Sequence, residues 1–231
     1  MVVGRERWLR MSRGLASGHP TAAGFCSSCV EMLSVSGAGI TLMAGAGAQV
    51  SVCASGPTAR RLADLEFTLG NGPARDAYDR GAPVFEMDLV SCPPSRWTGF
   101  SGPAVDAGIG AVFAFPLRLG AARLGALTLY QAQPGALGDD TYADALIAAD
   151  VITNAILTRQ AGIPEEALWA EMAEDRGFLA EVHQASGMVS VQLDISVGDA
   201  LARLRAQAFA ADRPIGDVAA DVVARRLRFD E

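Results

Sequence analysis

The residues best suited to redox or soft-metal chemistry are four cysteines, Cys26, Cys29, Cys53 and Cys92, and two histidines, His19 and His183. Cys26-Ser-Ser-Cys29 has the spacing of a redox pair or of half a zinc site. A zinc site needs a second such pair or histidines close by, and His19 and His183 offer neither, so no metal and no cofactor is expected. Three residues apart on a helix, Cys26 and Cys29 can both turn inward and read as core thiols. Cys53 lies within an expected strand, and Cys92 precedes Pro93-Pro94, where partial exposure is expected. Thiol catalysis requires an accessible thiolate with a resolving partner, and nothing in the spacing gathers these four. Neither histidine has neighbours suited to a Ser-His-Asp arrangement. The chain does not read as an enzyme, and no catalytic residue is assigned.

Charge narrows the partners. The 231 residues include 26 acids and 19 basic residues, giving a net charge of −7, and every basic residue is arginine. Attraction of the whole chain to nucleic acid is thereby excluded, and any such binding must come from a local patch. Half of the residues are hydrophobic, ample for a packed core. No run is long and apolar enough to span a membrane and no signal peptide is visible, so no membrane partner is expected and the expected location is cytoplasmic. Four cysteines are too few for a disulfide scaffold of this size.

The elements that must position these residues fall into four stretches. Residues 1–20 carry Arg5, Arg7, Arg10 and Arg13 around Trp8 and read as a flexible basic arm, with Met11 a possible alternative start. Residues 21–160 read as a mixed domain. A short helix, TAAGFCSSCVEML, precedes two apolar runs that form a hairpin around Gly45–Gly47. Arg60 to Arg80 is helical but broken at Leu69-Gly-Asn-Gly-Pro73. APVFEMD is a strand, PPSRWTGFSGPAVDAG a loop and helix, and GAVFAFPLRL with RLGALTLYQA a second hairpin across Gly120. A helix from Asp139 to Arg159 closes the domain. Strand pairs with helices at both ends give an α+β class, an antiparallel sheet flanked by helices.

Residues 161–181 read as a helical connector. Counting in steps of four and three from Leu168 gives Met172, Asp175, Leu179, Val182, Ser186, Val189 and Leu193. That is a heptad seam with two polar interruptions, which predicts a paired helix and a homodimer. Residues 182–231 then read as three short helices. Ser196 and Asp199 form a capping box. Ala200, Leu201, Leu204 and Ala208 share one face, and Arg203, Gln207 and Ala210 the other. Pro214 suits the start of a further helix with Ile215, Val218 and Val222 on its buried side.

Two resemblances follow from the motifs. The segment ADLEFTLGNGPARDAYDRGAPV, with Leu69, Gly70, Gly72, Pro73, Asp76 and Ala77 in place, resembles the GAF family, and the type found ahead of ANTAR modules in particular. Asn71 and Ala74 stand where those relatives commonly carry an acid and a cysteine. The order Gln184-Ala185-x-Gly187-Met188, then Asp199-Ala200, Leu204-Arg205 and Asp217-Val218-Ala219, resembles the ANTAR family of RNA-binding antiterminator modules. Ser186 and Gly216 replace basic residues common there.

The resemblance implies a sensor domain ahead of an output module that binds RNA leader hairpins. Arginine forks hold phosphates and unstacked bases by charge and paired hydrogen bonds. The expected RNA face is Gln184, Ser186, Met188, Arg203, Arg205 and Arg213, doubled by dimerisation through Leu168, Met172, Leu179, Val182 and Val189. The sensor fold commonly holds a small molecule, whose walls are expected from Phe85, Trp97, Phe100, Phe113 and Phe115, with its identity unknown. Three other readings stand beside this one. They are a helix-turn-helix DNA regulator, a ligand-sensing dimer without nucleic-acid binding, and a methionine sulfoxide reductase, which some GAF relatives are.

Overall fold

The computed structural model describes residue 6 and residues 22–43, 49–160, 176–211 and 213–229. The arginine-rich residues 1–5 and 7–20, the Gly45–Gly47 turn, and Leu168, Met172 and Asp175 of the expected seam lie outside the described residues.

The domain begins with helix α1 (Ala22–Leu33) and strands β1 (Gly37–Met43) and β2 (Gln49–Ala54). Helices α2 (Pro57–Leu69) and α3 (Pro73–Arg80) and the short strand β3 (Val84–Glu86) follow, then α4 (Ser101–Asp106). Strands β4 (Ala111–Leu119) and β5 (Ala122–Gln131) and the long helix α5 (Asp139–Gln160) complete it. The five strands form one sheet in the order β2-β1-β5-β4-β3, and every pairing is antiparallel. Gly120, in the left-handed region at φ 59°, turns β4 into β5 as the sequence predicts.

Strand alternation divides the core between the two faces. On one side Ile40, Leu42, Phe113, Phe115, Leu117, Leu127 and Leu129 pack against α1 and α5. On the other, Val112, Ala114 and Tyr130 pack with Leu62 of α2, Ala77 of α3 and Trp97 and Phe100 from the segment before α4.

The break between α2 and α3 is local chemistry. Gly70 takes the left-handed conformation at φ 67°, and its amide closes α2 onto the Glu66 carbonyl. Pro73 opens α3, where its missing amide costs no hydrogen bond. Gly72 between them sits at φ 145°, and a Cβ there would stand 2.6 Å from Glu66 Oε1.

Helices α6 (Arg176–Leu193), α7 (Val197–Ala210) and α8 (Ile215–Val223) form a second unit with its own core. Val182, Ala185 and Val189 of α6 meet Ala200, Leu204 and Ala208 of α7 and Val218 and Val222 of α8. The capping box forms: Ser196 Oγ accepts the Asp199 amide at 3.1 Å and donates to Asp199 Oδ2 at 2.6 Å. Pro214 holds the position just before α8.

Two expectations are corrected here. Cys26 is not a free core thiol; it is joined to Cys53 in a disulfide that ties α1 to β2, while Cys29 remains a buried free thiol. Val182 and Val189 do not present a seam to another chain, because both are buried in the three-helix core.

The disulfide spans 27 residues of sequence, and closing a loop of that order stabilises a fold by roughly 3 kcal/mol. Replacing both Cys26 and Cys53 by alanine lowers urea-unfolding stability by up to that amount, and reductant reproduces the loss in the parent chain. A parent chain indifferent to reductant would show that the bond carries no stability.

Candidate functional site

Helix α2 serves both units. Adjacent residues near its end, Glu66 and Phe67, turn to opposite partners because successive helical positions lie about 100° apart. Glu66 points into the first domain, fully buried, with Oε1 accepting the Ala74 amide at 2.7 Å and so capping α3. Burial pushes its pKa up to about 8, the Ala74 amide opposes this, and the charge of Asp76 adds to it. At neutral pH the carboxyl is therefore protonated for the most part. Beside it lies a void of about 10 Å³, bordered by Thr41, Glu66, Thr128 and Tyr130, near the size of a single water.

Phe67 turns the other way and is buried in the core of the three-helix unit, where it joins Leu204 and Ala208 of α7. Arg205 of α7 closes the same contact. Its Nε donates to the Phe67 carbonyl at 2.9 Å, its guanidinium carbon stands 5.4 Å from the Phe67 ring centroid, and its side chain lies over Gly70. Burial, with the neighbouring Arg75 adding to it, lowers the Arg205 pKa to about 10, so it remains a cation at neutral pH. Gly70 has a second use here, since a Cβ would stand 3.2 Å from Arg205 Nη1.

The other residues expected on an RNA face are dispersed. Gln184 and Arg203 are exposed, on α6 and α7 respectively, and Met188 is half-buried. Ser186 is turned inward, 1% exposed, with its hydroxyl donating to the Val182 carbonyl at 2.8 Å; a helix residue between Val182 and Val189 shares their buried side, so it is unavailable to RNA. Arg213 donates to Asp221 at 2.8 Å, and Arg226 reaches the other oxygen of that carboxylate at 2.8 Å. These two hydrogen bonds hold the Asp221 pKa below the usual carboxylate range. Leu179 of the seam lies on α6, with its side chain outside the described residues.

No family model matches the sequence, and no curated protein matches it. Solved structures do. The GAF domain of an Acinetobacter phosphoenolpyruvate-protein phosphotransferase superposes with a TM-score of 0.52 at 11% identity, over 71% of this chain and 99% of that one. The GAF domain of the corresponding protein (ptsP) from Coxiella burnetii gives 0.51 at 15% identity, over 68% and 96%. A free methionine-R-sulfoxide reductase from Neisseria meningitidis, solved with its substrate, gives 0.50 at 16% identity, over 70% and 93%. The first domain has the GAF fold.

Within this GAF-fold domain the five expected wall aromatics do not enclose one pocket. Phe113 and Phe115 lie on the α1/α5 side of the sheet, packed against Phe85 at 5.7 and 5.6 Å between centroids. Trp97 and Phe100 pair on the opposite side at 5.4 Å. All but Phe85 are buried core residues. The parity of Phe113 and Phe115 on β4 is a sequence signal for the shared face; the side taken by the loop aromatics has no such signal.

The thiols are equally divided. Cys29 belongs to the core on the α1/α5 side and Cys92, buried rather than partly exposed, to the core on the other. Burial raises both thiol pKa values, Cys29 to about 12, which suppresses the nucleophilic thiolate. Among the described residues no group of three or more His, Cys, Asp or Glu is placed to hold a metal ion, and no helix is long and apolar enough to cross a membrane.

Sequence reasoning passed over Glu66 and Phe67. A glutamate at the end of an amphipathic helix reads as a solvated residue, and only the turn at Gly70–Pro73 brings the α3 amide to it. Glu66 sets a pH dependence. Its folded pKa of about 8 lies above its ordinary 4.5, so its contribution to stability is fully present below the ordinary value and is lost as pH rises toward 8. Over that window the parent chain should lose up to roughly 1.4 kcal/mol per pH unit relative to Glu66→Gln. Parallel melting-temperature curves for the two proteins between pH 5 and 8.5 would refute this.

Proposed function

We propose that this chain is an RNA-binding regulator of the antitermination type, a homodimer in which the GAF domain senses a small molecule and gates the helical unit at residues 182–231. The observation that carries the gating is the Phe67–Arg205 contact. Arg205 belongs both to the expected RNA face and to the clamp on the sensor, so it cannot serve the two at once. Docked, the unit withholds a cation from RNA; released, it offers Arg205 together with Gln184, Met188 and Arg203. Arg213 joins them only by giving up Asp221. Two such faces in a dimer raise avidity for paired hairpins, through dimer contacts lying elsewhere than Val182 and Val189.

The RNA reading is favoured over a DNA-binding helix-turn-helix. A recognition helix concentrates its base-reading side chains on one element, whereas Arg203 and Arg205 stand on α7 and Arg225, Arg226 and Arg228 follow α8.

Gly187 adds support for a contact face on α6. A glycine inside a helix costs about 1 kcal/mol relative to alanine, and among the described residues nothing beyond its own helix backbone and chain neighbours comes within 4 Å of where its Cβ would be. Val191, one turn on, is 84% exposed. An approaching molecule is a reason to keep that position bare.

The test is fluorescence anisotropy with a paired-hairpin RNA and a matched duplex DNA at two salt concentrations. The parent chain should bind the RNA with an affinity that falls steeply with salt. Arg203→Glu with Arg205→Glu should abolish binding. Phe67→Ala, which loosens the clamp and leaves Arg205 in place, should tighten it several-fold. Gly187→Ala should raise thermal stability slightly while weakening RNA binding. Preference for duplex, or no RNA binding at low salt by either the parent or Phe67→Ala, would sink the proposal.

A further inference from the structure

A cleft of about 500 Å³ opens where the GAF domain meets the helical unit, on the outer side of α2. That volume falls in the range of small-molecule sites. It is distinct from the GAF interior, where the void beside Glu66 measures about 10 Å³. Its walls come from three places: Arg61 and Leu65 of α2, Pro103 of α4, and Phe209, Arg213 and the following proline at the α7–α8 joint.

The chemistry of those walls is specific. Phe209 is 59% exposed, a large aromatic surface left open beside a cleft. The backbone makes room for its ring: Gly99 takes φ +78°, and a Cβ there would stand 2.9 Å from Phe209 Cε2. Leu65 and Pro103 supply further apolar wall. Two guanidinium groups, Arg61 and Arg213, line the cleft against one carboxylate, Asp64. Arg213 is held by Asp221, and Arg61 is exposed. A flat apolar body with one negative end suits these surfaces, since the ring stacks on Phe209 and a guanidinium takes the anion as a fork.

We propose that this cleft binds a small aromatic carboxylate, and that binding holds the helical unit against the GAF domain. The proposal rests on reading α6–α8 as the output of the sensor, but not on RNA being its target. Coupling follows from the placement of the walls. The α2 wall belongs to the sensor and the Phe209 wall to the helical unit, so the complete site exists only while the two are docked. A ligand that needs both walls favours the docked state by its differential affinity. The same helix carries the Phe67 carbonyl that accepts from Arg205, so the cleft and the clamp form or separate together.

The experiment uses the full chain without RNA. Calorimetry is run with 3-phenylpropionate, with its neutral amide, and with butyrate, which keeps the anion and lacks the ring. Hydrogen exchange is followed with and without 3-phenylpropionate. Saturable binding of the aromatic acid is expected, at least tenfold tighter than the amide or butyrate. Arg61→Ala and Phe209→Ala should each weaken it at least tenfold, and as both side chains are exposed their removal should leave the fold intact, which the melting temperature verifies. Amides of α2 and α7 should gain protection together. Equal binding of acid and amide, indifference to both substitutions, or no saturable binding would overturn the site. Protection confined to α2 would overturn the coupling. Because no RNA is present, these results stand apart from the antitermination reading.

Discussion

One aromatic ring from the GAF-fold domain completes the core of the three-helix unit. Phe67 leaves a helix that packs on the GAF sheet and ends among the apolar residues of α6, α7 and α8. A core that lacks one of its members exposes apolar surface and leaves a hole, which costs about 3–5 kcal/mol for a buried phenylalanine. Separation of the two units therefore has a definite penalty. The Arg205 hydrogen bond to the carbonyl of that same residue adds direction to it. The ring fixes that the units meet, and the guanidinium fixes how they are oriented.

What holds Phe67 in position is the turn that follows it. Gly70 ends α2 and makes room for Arg205; Gly72 lets the chain pass close to Glu66; Pro73 starts α3, whose Ala74 amide Glu66 accepts. The carboxyl is buried within the domain, and a protonated acid is the form that such a place tolerates. Domain interior, turn and interface are thus joined over eight residues, from Glu66 to Pro73. Any change in the GAF interior that moved Glu66 would reach Phe67 through one peptide bond.

Much of the fold was legible in the sequence, though Glu66 and Phe67 were not. Leu69-Gly-Asn-Gly-Pro73 announced the break, Ser196 and Asp199 the capping box, and the two apolar hairpins the antiparallel sheet, because each is governed by short-range sterics or local hydrogen bonding. The disulfide was not, because the pairing of Cys26 with Cys53 depends on how α1 lies across β2, and helical spacing by itself gave two inward-turned core thiols. At Val182 and Val189 the seam reading is corrected for another reason. Spacings of three and four residues describe a helix facing a second chain and a helix facing its own domain equally well, and Val182 and Val189 take the second course. Ser186 followed them inward. The expected aromatic pocket failed because Trp97 and Phe100 sit in a loop, where no periodicity assigns a side of the sheet.

The charge pattern is the last constraint. In an acidic chain whose basic residues are all arginines, the nucleic-acid face proposed above would have to be protected from the chain's own carboxylates. The helical unit handles this unevenly. Asp221 occupies Arg213 and Arg226 together, and Arg205 is turned to the Phe67 carbonyl of the first domain. Of the three arginines expected on the face, two are thus occupied in the docked arrangement. An exposed ion pair contributes little to stability, so Asp221 yields Arg213 to a phosphate readily, whereas releasing Arg205 also requires Phe67 to leave its core. The two arginines are therefore held differently, the first by a local carboxylate and the second by the packing of the two units. In the proposed regulator, coupling between the first domain and RNA would run through Arg205.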